Sequence, residues 1–161
     1  MKRKVLFSLV LIIIILIVAG CSKTKISSNE QITMTCTGEK DNSTGFEIQN
    51  IVTYHFSDKQ YVTSYSVVTT QKFDDKSVYE EYKKAQEETV SGYSDGDITY
   101  NLKSDDKNMS LVFTMTINNI NVDDAETEEE KKNLKASSVL KSNESSGYTC
   151  VVDGISKKEI K

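Results

Sequence analysis

Apolar and polar positions divide the chain into one long apolar run and a series of short alternating segments. Residues 5–18 are apolar except for Ser8. At helical rise, fourteen residues reach only about 21 Å, short of a bilayer core of about 30 Å. Downstream, residues 32–37 alternate and are β-branched, which predicts a short strand. Residues 38–45 read as a loop, with Gly at both ends and Asn and Asp between. Residues 46–56 predict a strand with Ile48, Val52, Tyr54 and Phe56 towards the core. Glu47, Gln49, Thr53 and His55 point the other way. After a turn at 57–60, residues 61–73 predict a second long strand. Its Tyr61, Tyr65 and Val67 share one face, with Val62 and Val68 on the other, and the pair forms a β-hairpin.

The period then changes. Residues 74–92 predict a helix, with Ser77 and Glu80 as a capping box and Gly92 as its stop. Val78, Tyr82, Ala85 and Thr89 recur at helical spacing as its apolar stripe. Residues 97–103 alternate again through Ile98, Tyr100 and Leu102. Residues 108–117 carry Met109, Leu111, Phe113, Met115 and Ile117 on one parity, giving a second hairpin. Residues 125–145 predict another helix, opened by a Thr127–Glu130 capping box and with a candidate break at 136–138. Residues 147–152 are extended and 153–161 read as a solvated tail. The order β-ββ-α-ββ-α-β predicts an α+β fold, an antiparallel sheet with two helices packed on one face.

The apolar run acquires a meaning from its flanks. Lys2, Arg3 and Lys4 precede it and Ala19, Gly20 and Cys21 follow, the order of a secretory signal peptide over residues 1–20. Val18-Ala19-Gly20-Cys21 resembles a bacterial lipobox. That resemblance implies a thioether-linked diacylglyceryl group on Cys21, with acyl chains such as palmitate, and cleavage before it. Two acyl chains give stable anchoring where one is marginal. The alternative is an ordinary cleaved signal whose first mature residue is cysteine. Residues 22–31 are polar and read as a tether of about 15–20 Å. The expected organisation is thus signal peptide 1–20, lipidated Cys21 and tether 21–31, one domain 32–152 and the tail. The expected location is the extracytoplasmic face of the cell membrane.

Charge and cysteine count sharpen this picture. Residues 1–20 hold three of the 20 basic residues and none of the 24 acidic ones, so the mature chain carries −7. Such a balance disfavours nucleic acid as a partner. It also predicts repulsion from anionic headgroups, leaving the lipid on Cys21 to hold the membrane. With Cys21 assigned to lipid, Cys36 and Cys150 remain. In an exported chain they form either a disulfide joining the domain's two ends or a pair of reduced thiols.

Candidate chemistry is sparse, and no cofactor or metal is expected. His55 is the only histidine and sits on the polar parity of a strand, so no multi-histidine metal site can form and no His-centred dyad is available beyond this one residue. Asp95, Asp97, Asp105, Asp106, Asp123 and Asp124 lie in turns without the EF-hand order. The run from Glu126 to Lys132 reads as a solvated helical face. Ser138 and Lys141 have S-x-x-K spacing but no companion motifs. Tyr54, Tyr61, Tyr65 and Tyr100 are the candidate binding surface, an aromatic groove for glycan or peptide if they face outward. Otherwise they are ordinary sheet residues.

Several pieces together resemble a known family. They are the lipobox, Thr35-Cys36 ending a threonine-rich strand, the Ser57-Asp58-Lys59 turn, Phe73-Asp74-Asp75 leading into Tyr79-Glu80-Glu81-Tyr82, and the closing Gly147-Tyr148-Thr149-Cys150. This set resembles the YehR-like bacterial lipoproteins, a family of uncharacterised function. The resemblance implies an antiparallel sheet with helices, membrane anchoring and a Gram-positive cell surface, and no assigned activity. The leading expectation is a non-enzymatic binding or structural module. One alternative is an accessory module contacting cell-wall polymer or envelope proteins. Another is a hydrolase using the loop aspartates.

Overall fold

The computed structural model describes residues 32–42, 45–92 and 96–161. The signal, Cys21 and the tether therefore lie outside the described residues. The elements run β1 (Ile32–Thr37), β2 (Phe46–Phe56), β3 (Val62–Phe73), α1 (Lys76–Gly92), β4 (Ile98–Asp105), β5 (Ser110–Ile117), α2 (Glu128–Asn133), α3 (Ala136–Ser145) and β6 (Thr149–Asp153). The six strands form one antiparallel sheet ordered β4-β5-β3-β2-β1-β6. Three α-helices accompany it among the described residues, where the sequence pattern predicts two.

Alternation decides which face is buried. Ile32, Met34 and Cys36 are buried while Thr33, Thr35 and Thr37 between them are half-exposed. Register carries that face across the sheet, from Met34 to Tyr54, Tyr65, Ile117 and Ile98. Two apolar clusters sit on it at opposite corners. One gathers Ile32, Met34, Cys36, Phe56, Val62, Leu134, Ala136, Val139 and Cys150. The other gathers Phe46, Phe73, Tyr79 and Leu111, with Tyr82 against them. The opposite face is lined with hydroxyls. Thr35, Thr53, Ser66, Thr116 and Thr99 are successive register partners across five strands.

The two corners are covered by different helices. Over the second cluster, the Phe73 ring meets Phe46 at 4.7 Å, Tyr82 at 5.4 Å and Tyr79 at 5.8 Å. Here the predicted stripe is rotated. Tyr79 is buried, whereas Val78 and Ala85 are exposed. The aromatic pair on the sheet selects large flat partners, and Tyr79 and Tyr82 supply them where Val78 cannot. The cap also differs. Asp75 Oδ1 accepts from the Ser77 and Val78 amides at 2.8 and 3.0 Å, so Asp75 replaces the predicted Ser77–Glu80 box.

The first corner is organised around Gln60. Between His55 and Phe56 the β2–β3 register shifts, pairing Phe56 with Val62 and His55 with Ser64. This bulge carries Val62 into the core, opposite to its predicted face. Gln60 precedes it with a left-handed backbone (φ 62°). Its carbonyl accepts from the Ala136 amide at 2.8 Å, and the Val62 amide donates to the Leu134 carbonyl at 2.9 Å. That short bridge holds the backbone at Leu134–Ala136 and splits the predicted helix 125–145 into α2 and α3, just before the predicted break. The Thr127–Glu130 capping box forms at the start of α2.

The C-terminal segment corrects another expectation. Ile155 and Ile160 pack against the first cluster. The Gln60 side chain donates to the Glu159 carbonyl at 3.0 Å and accepts from the Lys161 amide at 2.7 Å. Residues 153–161 are thus part of the domain, held by two isoleucines the sequence pattern leaves unpaired.

Cys36 and Cys150 are register partners on β1 and β6 and form a disulfide across 114 residues. Replacing both by alanine should lower unfolding free energy by about 3–5 kcal/mol. Urea denaturation under non-reducing conditions measures this, and a loss below about 1 kcal/mol would contradict a stabilising bridge.

Candidate functional site

The four candidate tyrosines separate into a band and an outlier. Tyr54, Tyr65 and Tyr100 lie on the helix-bearing face, not the hydroxyl-lined one. They sit between the two helix-covered corners and are half-buried. The Tyr54 and Tyr65 rings are 5.7 Å apart, and Tyr100 meets Phe113 at 5.8 Å. Met115 and Ile117, also half-buried, lie on β5 between these strands. Asn143 on α3 donates to the Tyr54 hydroxyl at 3.2 Å, fixing one end of the band. Burial pushes the Tyr65 hydroxyl pKa up, with Tyr54 and Tyr100 adding to the shift. Burial raises Tyr54 as well, against the opposing bond from Asn143. Both stay protonated at neutral pH. The band therefore offers apolar ring surface and neutral hydroxyls.

Tyr61 stands apart, at the turn before β3. Its ring lies 5.8 Å from Lys135 Nζ, and it bridges to Lys135 through the backbone. The register bulge removes it from the band that simple alternation predicts.

Asp97, Asp105 and Asp106 are occupied by local structure, and Asp123 and Asp124 lie on the 3-10 turn 122–124. Asp105 Oδ1 accepts from the Lys107 and Asn108 amides and Oδ2 from the Asn108 side chain, closing the β4–β5 turn. Asp97 accepts from Asn119 at 2.7 Å. Asp106 Oδ1 receives both the Lys83 ammonium at 2.7 Å and the Tyr79 hydroxyl at 2.5 Å, tying α1 to that turn. Asp95 lies outside the described residues. Among the described residues, no three His, Cys, Asp or Glu side chains group as metal ligands would. His55 faces away from the core, with Nδ1 3.4 Å from the Thr33 hydroxyl. Ser138 is half-buried and Lys141 exposed on α3.

Two clefts escape sequence reasoning because each is made by segments that meet only on folding. One, of about 350 Å³, separates α3 from the C-terminal segment and is lined by Leu140, Lys141, Glu144, Lys157 and Ile160. The other, of about 310 Å³, lies beside Gly38, Asn50 and Tyr148. At Gly38 the space is tight, since a Cβ there would lie 3.1 Å from the Tyr148 ring and require the ring to give way slightly.

The chain matches no protein-family model, and no curated protein matches it. It is similar to a solved structure described as an NMR structure of the protein from Streptococcus pneumoniae TIGR4. The two are 18% identical, the match covers 84% of this chain and 94% of that one, and the TM-score is 0.44.

The Tyr79–Asp106–Lys83 contact has a defined pH dependence. The bond from Lys83, then that from Tyr79, holds the Asp106 carboxyl below its ordinary 3.8. A lowered carboxyl contributes stability above its unfolded pKa and loses it as pH falls through its folded one. Tyr79 is raised above 10.0, by burial first and then by Asp106, so its share is present below 10.0 and lost at higher pH. Asp106→Asn should therefore lower the urea midpoint at neutral pH, with wild type and variant converging as pH falls through the folded pKa of Asp106, below 3.8. A gap that stays constant down to that pH would show that the carboxylate charge contributes nothing.

Proposed function

We propose that the chain is a lipid-anchored protein of the extracytoplasmic membrane face, of the YehR-like kind it resembles, whose domain binds a partner without catalysis. The observation that carries the binding part is the tyrosine band. Three rings from β2, β3 and β4, distant in sequence, share one face with Met115 and Ile117, with Tyr54 and Tyr65 packed against the first corner and Tyr100 beyond it. Rings with neutral hydroxyls suit a ligand with apolar faces and hydroxyl or amide edges, as in glycan strands and extended peptides. Cell-wall polymer meets that description and is the partner we favour.

The anchor rests on the residues ahead of the domain. A basic start, an apolar run and Val18-Ala19-Gly20-Cys21 precede a polar tether that ends at β1. Labelled fatty acid should be incorporated into the full chain and lost in Cys21→Ala. Incorporation that persists in the variant would sink the assignment of Cys21.

The binding reading has a separate check. Retention on isolated cell walls should fall at least about tenfold when Tyr65 and Tyr100 are both replaced by alanine, as expected for losing two ring contacts. Leucine at both positions keeps apolar bulk but not the hydroxyls and should restore only part of it. Equal retention of all three proteins would remove the tyrosine band from consideration.

A further inference from the structure

The smaller cleft lies where the sheet, the β1–β2 loop and the end of α3 meet. Gly38 follows Thr37 and Tyr148 precedes Thr149, the last register pair of β1 and β6 at this end. The Gly38 amide donates to the Asn50 carbonyl at 2.9 Å, so β2 continues the same row. Register then carries the row to Thr69, Phe113 and Leu102 on the helix-bearing face. Gly38 has no side chain, which leaves a gap in this row between Tyr148 and Asn50. The Tyr148 ring leans towards Gly38, Ser146 and Gly147 after α3 form a wall, and Glu39 stands exposed at the rim.

This gap continues the tyrosine band. Tyr148 is half-buried and packs with Tyr54 and Tyr65 against the first cluster. Asn143 joins them, donating to the Tyr54 hydroxyl at 3.2 Å and accepting the Tyr148 amide on its carbonyl at 3.0 Å. Burial raises the Tyr54 pKa most, and Tyr148 adds to the rise, so the two phenols lie within electrostatic reach.

The polar groups of the cleft are few and differ in kind. The Thr69 hydroxyl donates to Asn50 Oδ1 at 2.8 Å, which fixes the amide and leaves Nδ2 as a donor. The Ser142, Asn143 and Glu144 carbonyls at the end of α3 already accept from the Ser146, Tyr148 and Gly147 amides. The Ser146 hydroxyl donates to the Ser142 carbonyl at 2.9 Å. Among the described residues, Glu39 is the one charged group in the lining. Its neighbour Lys40 pairs with Glu47 at 2.9 Å, and Lys141 and Glu144 of α3 line the other cleft.

We propose that this cleft binds a single saccharide unit, with an apolar sugar face on the Tyr148 ring and adjacent hydroxyls divided between the Asn50 amide and the Glu39 carboxylate. The proposal deepens the cell-wall reading above and rests on it for the polymer, adding a terminal subsite to the band. An anionic group would meet Glu39 with no cation in the lining. A purely apolar ligand would desolvate the Asn50 amide and Glu39 without replacing their hydrogen bonds. Sugar hydroxyls both donate and accept, which matches a carboxylate that only accepts and an amide held with its donor outward. A cleft of about 310 Å³ is at the small end of ligand sites, suited to one ring.

The test is calorimetric titration of the full chain with tetra-N-acetylchitotetraose. Tyr148→Leu and Glu39→Gln should each weaken binding about threefold or more, and Tyr148→Phe should stay within about twofold of wild type because the ring remains. Glu39 is exposed and enters no salt bridge among the described residues, so its variant reads binding without a folding defect. Wild-type binding no tighter than about 1 mM overturns the saccharide site, and retention on cell walls lost with Tyr65 and Tyr100 would still uphold the band. Binding equal in wild type, Tyr148→Leu and Glu39→Gln, but lost when Tyr65 and Tyr100 are both alanine, overturns the cleft and keeps the band. Binding weakened by the cleft variants and indifferent to Tyr65 and Tyr100 supports the cleft and overturns the band. A glycine–serine peptide that displaces the tetramer at equal concentration overturns the saccharide class.

Discussion

The pairing of β1 with β6 is the constraint on which the rest of the domain depends. β6 is five residues long and has a single neighbour in the sheet. It arrives last in the chain, so its pairing must close a loop of more than a hundred residues. The Cys36–Cys150 bond fixes that pairing at one register. Cluster packing follows from it, because Cys150 and Val152 complete the first corner and Ile155 and Ile160 pack against it. The Gln60 contacts to Glu159 and Lys161 then tie the end of the chain to the first hairpin.

Much of the strand pattern was legible in the sequence because alternation is a local signal. The span 46–56 and the core parity of β5 needed only period two. What alternation could not reveal were contacts made by tertiary pairing. The bulge that turns Val62 inward adds one residue to β3, and nothing local marks it. The break at Leu134–Ala136 is created by backbone bonds to Gln60 and Val62, seventy residues away. The helical stripe was misplaced by one position because Phe46 and Phe73 on the sheet determine which residue is wanted. Ile155 and Ile160 stood alone in a charged segment, so their burial carried no periodic signature.

The candidate site was legible in composition but not in arrangement. Eight tyrosines announced aromatic surface, and three of the four selected ones do come together. Their position on the helix-bearing face depends on how far each helical corner extends, which is a matter of packing. The clefts were hidden for a similar reason. Each is assembled from segments that do not adjoin in the chain.

The hydroxyl-lined face has its own consequence. Its row of Thr35, Thr53, Ser66, Thr116 and Thr99 is all hydroxyl, Ile51 and Val68 pair in the next row, and the opposed Glu47 and Lys72 fall towards the strand ends. Water on the all-hydroxyl row is therefore held by groups that neither titrate nor respond to salt. Changes in ionic strength then act on the charged margins of the sheet and leave the wetting of this row untouched, so the two are controlled by separate sets of residues.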